Sequence, residues 1–195
     1  MERKAETERK TRETAVSVAL SLDGDGRTEI DTGIPFFDHM LTLAAVHGFF
    51  NLTLRARGDL DVDRHHTMED VGIVLGEAID RALGEREGIR RYGYAVTPMD
   101  EALASAAIDL SRRPYLVLRL PEGTPAWEDP RTLPVEEFFR ALVHRAGMNL
   151  HIDVPYGRNG HHILEAVFKS FGRALRQAVE PDSRVQGVRS SKGVL

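Results

Sequence analysis

The chain has 195 residues, 42% hydrophobic and 29% charged, with a formal net charge of -4. That is enough to bury a sizeable core, as one domain or two fused half-size units. The charge excludes the basic field that nucleic acid or an anionic membrane surface would require. The absence of cysteine excludes disulfides and thiolate metal sites and fits the cytoplasm, and no apolar run approaches membrane-spanning length.

Residues 1–10 are rich in Lys, Arg and Glu, lack the apolar core of a secretory signal and are expected to fray. A first half is expected over 11–92. Ala15-Val16-Ser17-Val18-Ala19-Leu20 alternates like a half-buried strand, and Asp23-Gly24-Asp25-Gly26 is a hairpin signal with Arg27–Thr32 as the return strand. Gly33-Ile34-Pro35 breaks the chain. Phe36–Phe49 then reads as a helix with Pro near its first turn, Leu52–Ala56 as a strand and Thr67–Leu83 as an amphipathic helix.

The second half, 93–180, retraces this order. Ala95–Asp109 and Pro114–Leu120 are strand-like, Pro121–Pro134 is a loop, Val135–Ala146 a helix, Leu150–Val154 a strand and Ile163–Val179 a helix, leaving 181–195 as a tail. His47-Gly48 with Asn51-Leu52-Thr53-Leu54 parallels Ala146-Gly147 with Asn149-Leu150-His151-Ile152. The expected fold is α+β: two tandem copies of a strand-strand-helix-strand-helix half forming a two-layer sheet/helix structure.

Each half carries one unusual pentad, His65-His66-Thr67-Met68-Glu69 and His161-His162-Ile163-Leu164-Glu165, at the start of its last helix. On a helix, His65 meets Glu69 and His161 meets Glu165 one turn later, whereas adjacent histidines diverge by about 100°. Each pair therefore serves two metals, or a metal and a substrate. A single copy could equally be a pair of exposed helix-start histidines; two copies in equivalent places favour metal. Imidazole and carboxylate donors suit manganese, iron, zinc or nickel. The repeat adds His39, early in the helix before the first motif, and Glu137 in the corresponding place of the second half. The full set is then His39, His65, His66, Glu69, Glu137, His161, His162 and Glu165. A first-turn glutamate complementing the helix dipole is a competing explanation for Glu137. His47, His144 and His151 read as solvated or structural.

Phe37-Asp38-His39-Met40, His65 to Asp70, Leu150-His151-Ile152, His161 to Ala166 and Ser190-Ser191-Lys192-Gly193 together resemble the imidazoleglycerol-phosphate dehydratase family, from Arg12-Glu13-Thr14 to the C-terminus. The resemblance implies removal of water from D-erythro-imidazoleglycerol phosphate to give imidazoleacetol phosphate, in histidine biosynthesis. It also implies two Mn2+ per active site and a 24-subunit homo-oligomer with sites shared between subunits. Glu13, Glu69 and Glu165 are the implied catalytic carboxylates, with Glu13 the proton-transfer group. Glu13, His39, His65, His161, Arg91, Arg113, Lys169, Ser191, Lys192 and Gly193 are implied at the substrate, the cations and the tail for its phosphate. Glu137 departs from the family, where histidine is common at that position.

The implied chemistry gives the paired motif a purpose. The proton to be lost sits on a carbon without an adjacent carbonyl, and metals on both ring nitrogens would stabilise the substrate's imidazole as imidazolate, which can expel the hydroxyl. A dinuclear metal-dependent hydrolase is the alternative enzyme class, and a metal-storage or metal-assembled protein the non-catalytic one.

Overall fold

A computed structural model describes residues 3–121 and 134–195. The first half runs β1 (Lys4–Lys10), β2 (Thr14–Ser21), β3 (Thr28–Asp31), α1 (Pro35–Gly48), β4 (Asn51–Gly58), α2 (His65–Leu83). The second repeats the order as β5 (Tyr92–Met99), β6 (Ala102–Asp109), β7 (Tyr115–Arg119), α3 (Val135–Ala146), β8 (Asn149–Tyr156), α4 (Gly160–Val179). Each half has a four-stranded sheet of the same topology, β1-β2-β4-β3 and β5-β6-β8-β7. The α+β duplication is present, with one strand more per half than the sequence pattern suggested.

The extra strands have physical reasons. Lys4–Lys10, expected to fray, is β1: it pairs antiparallel with β2 from Lys4↔Ser21 to Lys10↔Ala15. Only Thr7 of this edge strand is buried, so no hydrophobic alternation marks it. Ala95–Asp109 is two strands, β5 and β6, turned at Asp100-Glu101 without the glycine or asparagine that signals a hairpin.

A second correction concerns Asp23–Gly26, which does not close a hairpin. β4 inserts between β2 and β3, pairing antiparallel with β2 and parallel with β3. The segment is instead folded over the start of β4, where the Asn51 Oδ1 accepts from the backbone N–H of Asp25 and of Arg27 at 3.0 and 2.9 Å. A Cβ on Gly24 would meet the Asn51 backbone nitrogen at 2.5 Å, which is why glycine stands there.

The helices follow the sequence closely. α3 has the expected limits, α1 starts on Pro35, and α2 and α4 begin earlier than expected, taking the motif histidines into their first turns. α2 covers β1 and β2, and α4 covers β5 and β6, so each half is a sheet/helix pair. The halves then meet helix to helix in a crossed manner, α1 against α4 and α2 against α3. Fully buried Phe37, Phe138 and Phe168 join α1, α3 and α4, with ring centroids 5.1 Å (Phe37–Phe138) and 5.8 Å (Phe138–Phe168) apart. Small residues set the approach: Gly172 of α4 lies on the Ala44 backbone of α1, and Gly76 of α2 on the Leu142 carbonyl of α3. Residues 122–133 of the expected loop lie outside the described residues. No described helix is long and apolar enough to cross a membrane.

Candidate active site

The crossed helices decide which motif residues meet. His39 precedes the first motif in sequence, yet α1 carries it to the second. Its Nε2 lies 3.2 Å from Glu165 Oε1, and His161 Nε2 lies 2.9 Å from the same oxygen, one helical turn away. One ligating atom from each of His39, His161 and Glu165 falls within 4.8 Å of the other two. Glu165 is buried, while the imidazoles face outward. Burial acts to raise the Glu165 carboxyl, but hydrogen bonds from Lys169, His39 and His161 outweigh it and hold it at about 2. The carboxylate is therefore charged at neutral pH. Two imidazoles and one ionised carboxylate around one exposed point form a donor set that could hold a divalent metal ion.

The first motif is less assembled. His65 Nε2 is 3.7 Å from Glu69 Oε2, and Glu137 is half-buried with Oε1 3.7 Å from Arg140 Nη1. Phe49 and Gly147, both left-handed, end α1 and α3, and counting back from them makes Glu137 the structural counterpart of His39. Among the described residues, however, no three-ligand group forms around His65, Glu69 and Glu137.

The second histidine of each pair turns away, as helical geometry requires. Ring planes cross at 86° for His65/His66 and 85° for His161/His162. His66 Nδ1 lies 3.0 Å from Asp59 Oδ2 and 3.8 Å from Glu13 Oε2. His162 Nδ1 lies 2.7 Å from Glu101 Oε2. These carboxylates raise both histidines, Asp59 chiefly for His66 and Glu101 for His162, while His162 and the Asn159 N–H hold Glu101 down to about 2. Glu13 is exposed, and its carboxylate makes no hydrogen bond among the described residues. The turn that carries it is nonetheless anchored to α2, because buried Thr14 donates to Asp70, and Arg9 Nε reaches the other Asp70 oxygen at 2.9 Å.

A second locus lies at the far end of β5. Arg91, Arg113, Ser191 and Lys192 line one open cleft of about 780 Å³, with Tyr92, Arg189 and Ser190. Arg91 is fixed there by Asp109 at 2.6 and 3.1 Å and by the Arg189 carbonyl at 2.7 Å, which docks the tail. Gly193, with φ 74°, closes a turn back to the Ser190 carbonyl. Lys169 is not in this cleft. It donates to Glu165 and lies 3.4 Å from Met99 Sδ. Because Tyr92 at one end of β5 lines the cleft and Met99 at the other end lies beside Lys169, the cleft and the His39 cluster sit toward opposite ends of a strand about 25 Å long. Glu101, Asp59, Asp109 and Arg189 were not flagged by the sequence; only the tertiary fold brings them to His162, His66 and Arg91.

Known proteins share both the sequence and the fold. The family model for imidazoleglycerol-phosphate dehydratase matches residues 32–175. The chain is 57% identical over 195 residues to the imidazoleglycerol-phosphate dehydratase of Desulfosudis oleivorans, covering the whole of both. This chain belongs to the imidazoleglycerol-phosphate dehydratase family. Identity to the Acetivibrio thermocellus dehydratase is 54% over 195 residues, again covering both in full. The fold is similar to the crystal structure of the Pyrococcus furiosus family member in complex with (S)-C348, with a TM-score of 0.82, 37% identity, and 96% of this chain and 99% of that one covered. The Staphylococcus aureus dehydratase superposes with a TM-score of 0.77 at 36% identity, over 91% of this chain and 100% of that one. Family membership makes the chain an enzyme, a dehydrating lyase of histidine biosynthesis.

Proposed function

We propose that the chain converts D-erythro-imidazoleglycerol phosphate to imidazoleacetol phosphate in the cytoplasm, with two Mn2+ per active site, in a 24-subunit homo-oligomer whose sites are completed between copies. The observation that carries this reading is the junction of His39, His161 and Glu165, whose ligating atoms come within 4.8 Å of one another. His162 diverges from that point, and the first motif offers His65, His66 and Glu69, with Glu137 on the neighbouring helix, toward the second ion. When bound, manganese supplies Lewis-acid stabilisation of the negative charge that develops on the substrate's imidazole ring.

The protein's own groups do the rest. Glu13 has an ionisable carboxylate without a hydrogen-bonding partner among the described residues, which leaves it free to take the carbon-bound proton and return one to the departing hydroxyl. Glu165 holds charge opposite the His39 and His161 imidazoles and orients them, and Glu69 stands across from His65 one turn along α2. Arg91, Arg113, Ser191 and Lys192, with the Gly193 turn, gather donors for the phosphate. The length of β5 supports sharing between copies, because a five-membered ring, three carbons and a phosphate cannot bridge about 25 Å.

The test follows imidazoleacetol phosphate formed from imidazoleglycerol phosphate by purified protein with Mn2+. Turnover is expected to stop on chelation, with a smaller particle by light scattering, and to return with Mn2+. Free phosphate without imidazoleacetol phosphate would overturn the dehydratase in favour of a metal hydrolase. An unchanged 24-subunit mass after full metal removal would break the link between metal and assembly.

A further inference from the structure

The internal repeat extends to a pair of glutamates. Val18 lies opposite Leu54, and Ala106 lies opposite Ile152, at matching places in the two sheets. Counting back five residues from each reaches Glu13 in the β1–β2 turn and Glu101 in the β5–β6 turn. The two stand in equivalent positions beside the second histidine of their own half, yet their surroundings differ. In the first half Asp59, just after β4, occupies His66 Nδ1 at 3.0 Å, and Glu13 stays 3.8 Å away. In the second half the residue just after β8 is Gly157, which has no side chain to offer. There Glu101 itself reaches His162 Nδ1, at 2.7 Å.

Glu101 is also bound at its other oxygen. Its Oε1 accepts from the backbone N–H of Arg158 at 3.1 Å and of Asn159 at 2.7 Å. Asn159 in turn caps α4, its Oδ1 accepting from the His161 N–H at 2.9 Å. The carboxylate thus ties the loop before α4 to the ring of His162. An ionised carboxylate can only accept hydrogen bonds, so Nδ1 carries a proton, and in the neutral ring Nε2 then has the free lone pair, with the Asp100 carboxylate 3.7 Å from it. Carboxylates that take the outer proton of a ligating histidine fix both its tautomer and its orientation.

We propose that Glu101 is the positioning residue of the second histidine pair, holding His162 as its Nδ1–H tautomer so that Nε2 is the atom presented to a metal ion. This rests on the metal reading of the site given above. It also assigns different tasks to two residues descended from one position of the repeat. Asp59 relieves Glu13 of holding a histidine, whereas Glu101 has no such relief and is committed to orientation.

Glu101→Gln separates these ideas. The two backbone donors keep the amide oxygen of the glutamine facing them, which turns its NH2 toward His162 Nδ1. The ring must then accept there and carry its proton on Nε2, where it blocks a metal. Mn2+ titration of the full chain is expected to show affinity lowered by about 10- to 100-fold, with the metal-free melting temperature near that of wild type. Imidazole 15N spectra of histidine-labelled protein, with His162→Gln for assignment, are expected to show Nδ1–H in wild type and Nε2–H in Glu101→Gln. Equal Mn2+ affinity in the two proteins, or an Nε2–H tautomer in wild type, would overturn the role of Glu101. Wild type that shows the Nδ1–H tautomer but takes up no Mn2+ would overturn the metal reading, and with it the purpose assigned to Glu101. The tautomer is read on wild type, so the proposal stays testable even if the variant fails to fold.

Discussion

Gly172→Ala tests whether the close approach of α1 and α4 builds the cluster of His39, His161 and Glu165. In an exposed helix this change would be stabilising by about 1 kcal/mol, because alanine loses less backbone entropy. Here the new Cβ would come within 3.0 Å of the Ala44 Cα and 2.9 Å of its carbonyl carbon, and closer still to the carbonyl oxygen. Ordinary contacts begin near 3.4 Å, and the carbonyl oxygen is the nearest atom, so the helices must part by roughly 1 Å. Backbone cannot rotate away as a side chain can, and overpacking of this kind costs about 1–3 kcal/mol. Set against the propensity gain, the net expectation is destabilisation of up to about 2 kcal/mol, near the upper end because the contact is with backbone, a fall of several degrees in melting temperature for a chain of this size. The measurement is denaturant unfolding of metal-free protein at fixed concentration, since assembly would otherwise shift the midpoint. The same separation lengthens the 3.2 Å contact between His39 and Glu165, so Mn2+ affinity should fall as well. A variant as stable as wild type, or more so, would refute the argument, since helix propensity would then have outweighed the contact.

Two further expectations concern carboxylates. Glu165 is held at about 2 against a usual 4.5, so in metal-free protein its contribution to stability is complete above pH 4.5 and is lost as pH falls from there toward 2. Glu165→Gln should flatten the stability–pH curve in that window, and an unchanged slope would count against the cluster as drawn. Glu13→Gln should leave Mn2+ and substrate binding intact while lowering kcat by about 10²- to 10⁴-fold; near-wild-type turnover would remove Glu13 from the proton-transfer role.

Local features of the molecule were readable from the chain. The limits of α3, the one-turn spacing that brings His161 to Glu165 and the divergence of adjacent histidines follow from helical geometry alone. What the chain order concealed is long-range. His39 stands nearer in sequence to Glu69, but it meets Glu165, because glycine and alanine backbones at the α1/α4 crossing determine which helices can approach. β1 escaped notice because an edge strand of alternating Lys, Glu and Arg buries almost nothing. β3 is expected as a strand, but its parallel pairing with β4 in place of a hairpin with β2 leaves no signature in the segment between them. Glu101 lies in a two-residue turn, Asp100-Glu101, that lacks the glycine of the usual hairpin signal, so its task emerges only from the register that aligns it with Glu13.

The crossed packing of α1 on α4 and α2 on α3 has a consequence for the repeat itself. Cut between the halves, the first fragment would hold His39 with no carboxylate beneath it, and the second would hold Glu165 with only one imidazole above it. Two copies of a single half could restore both crossings only by exchanging helices as a symmetric pair. The short link between Leu83 and Tyr92 therefore replaces an encounter between two molecules with a covalent tether, and in doing so it lets the two halves accumulate different residues. His39 opposite Glu137, and Asp59 opposite Gly157, are differences that a strictly symmetric pair could not have kept.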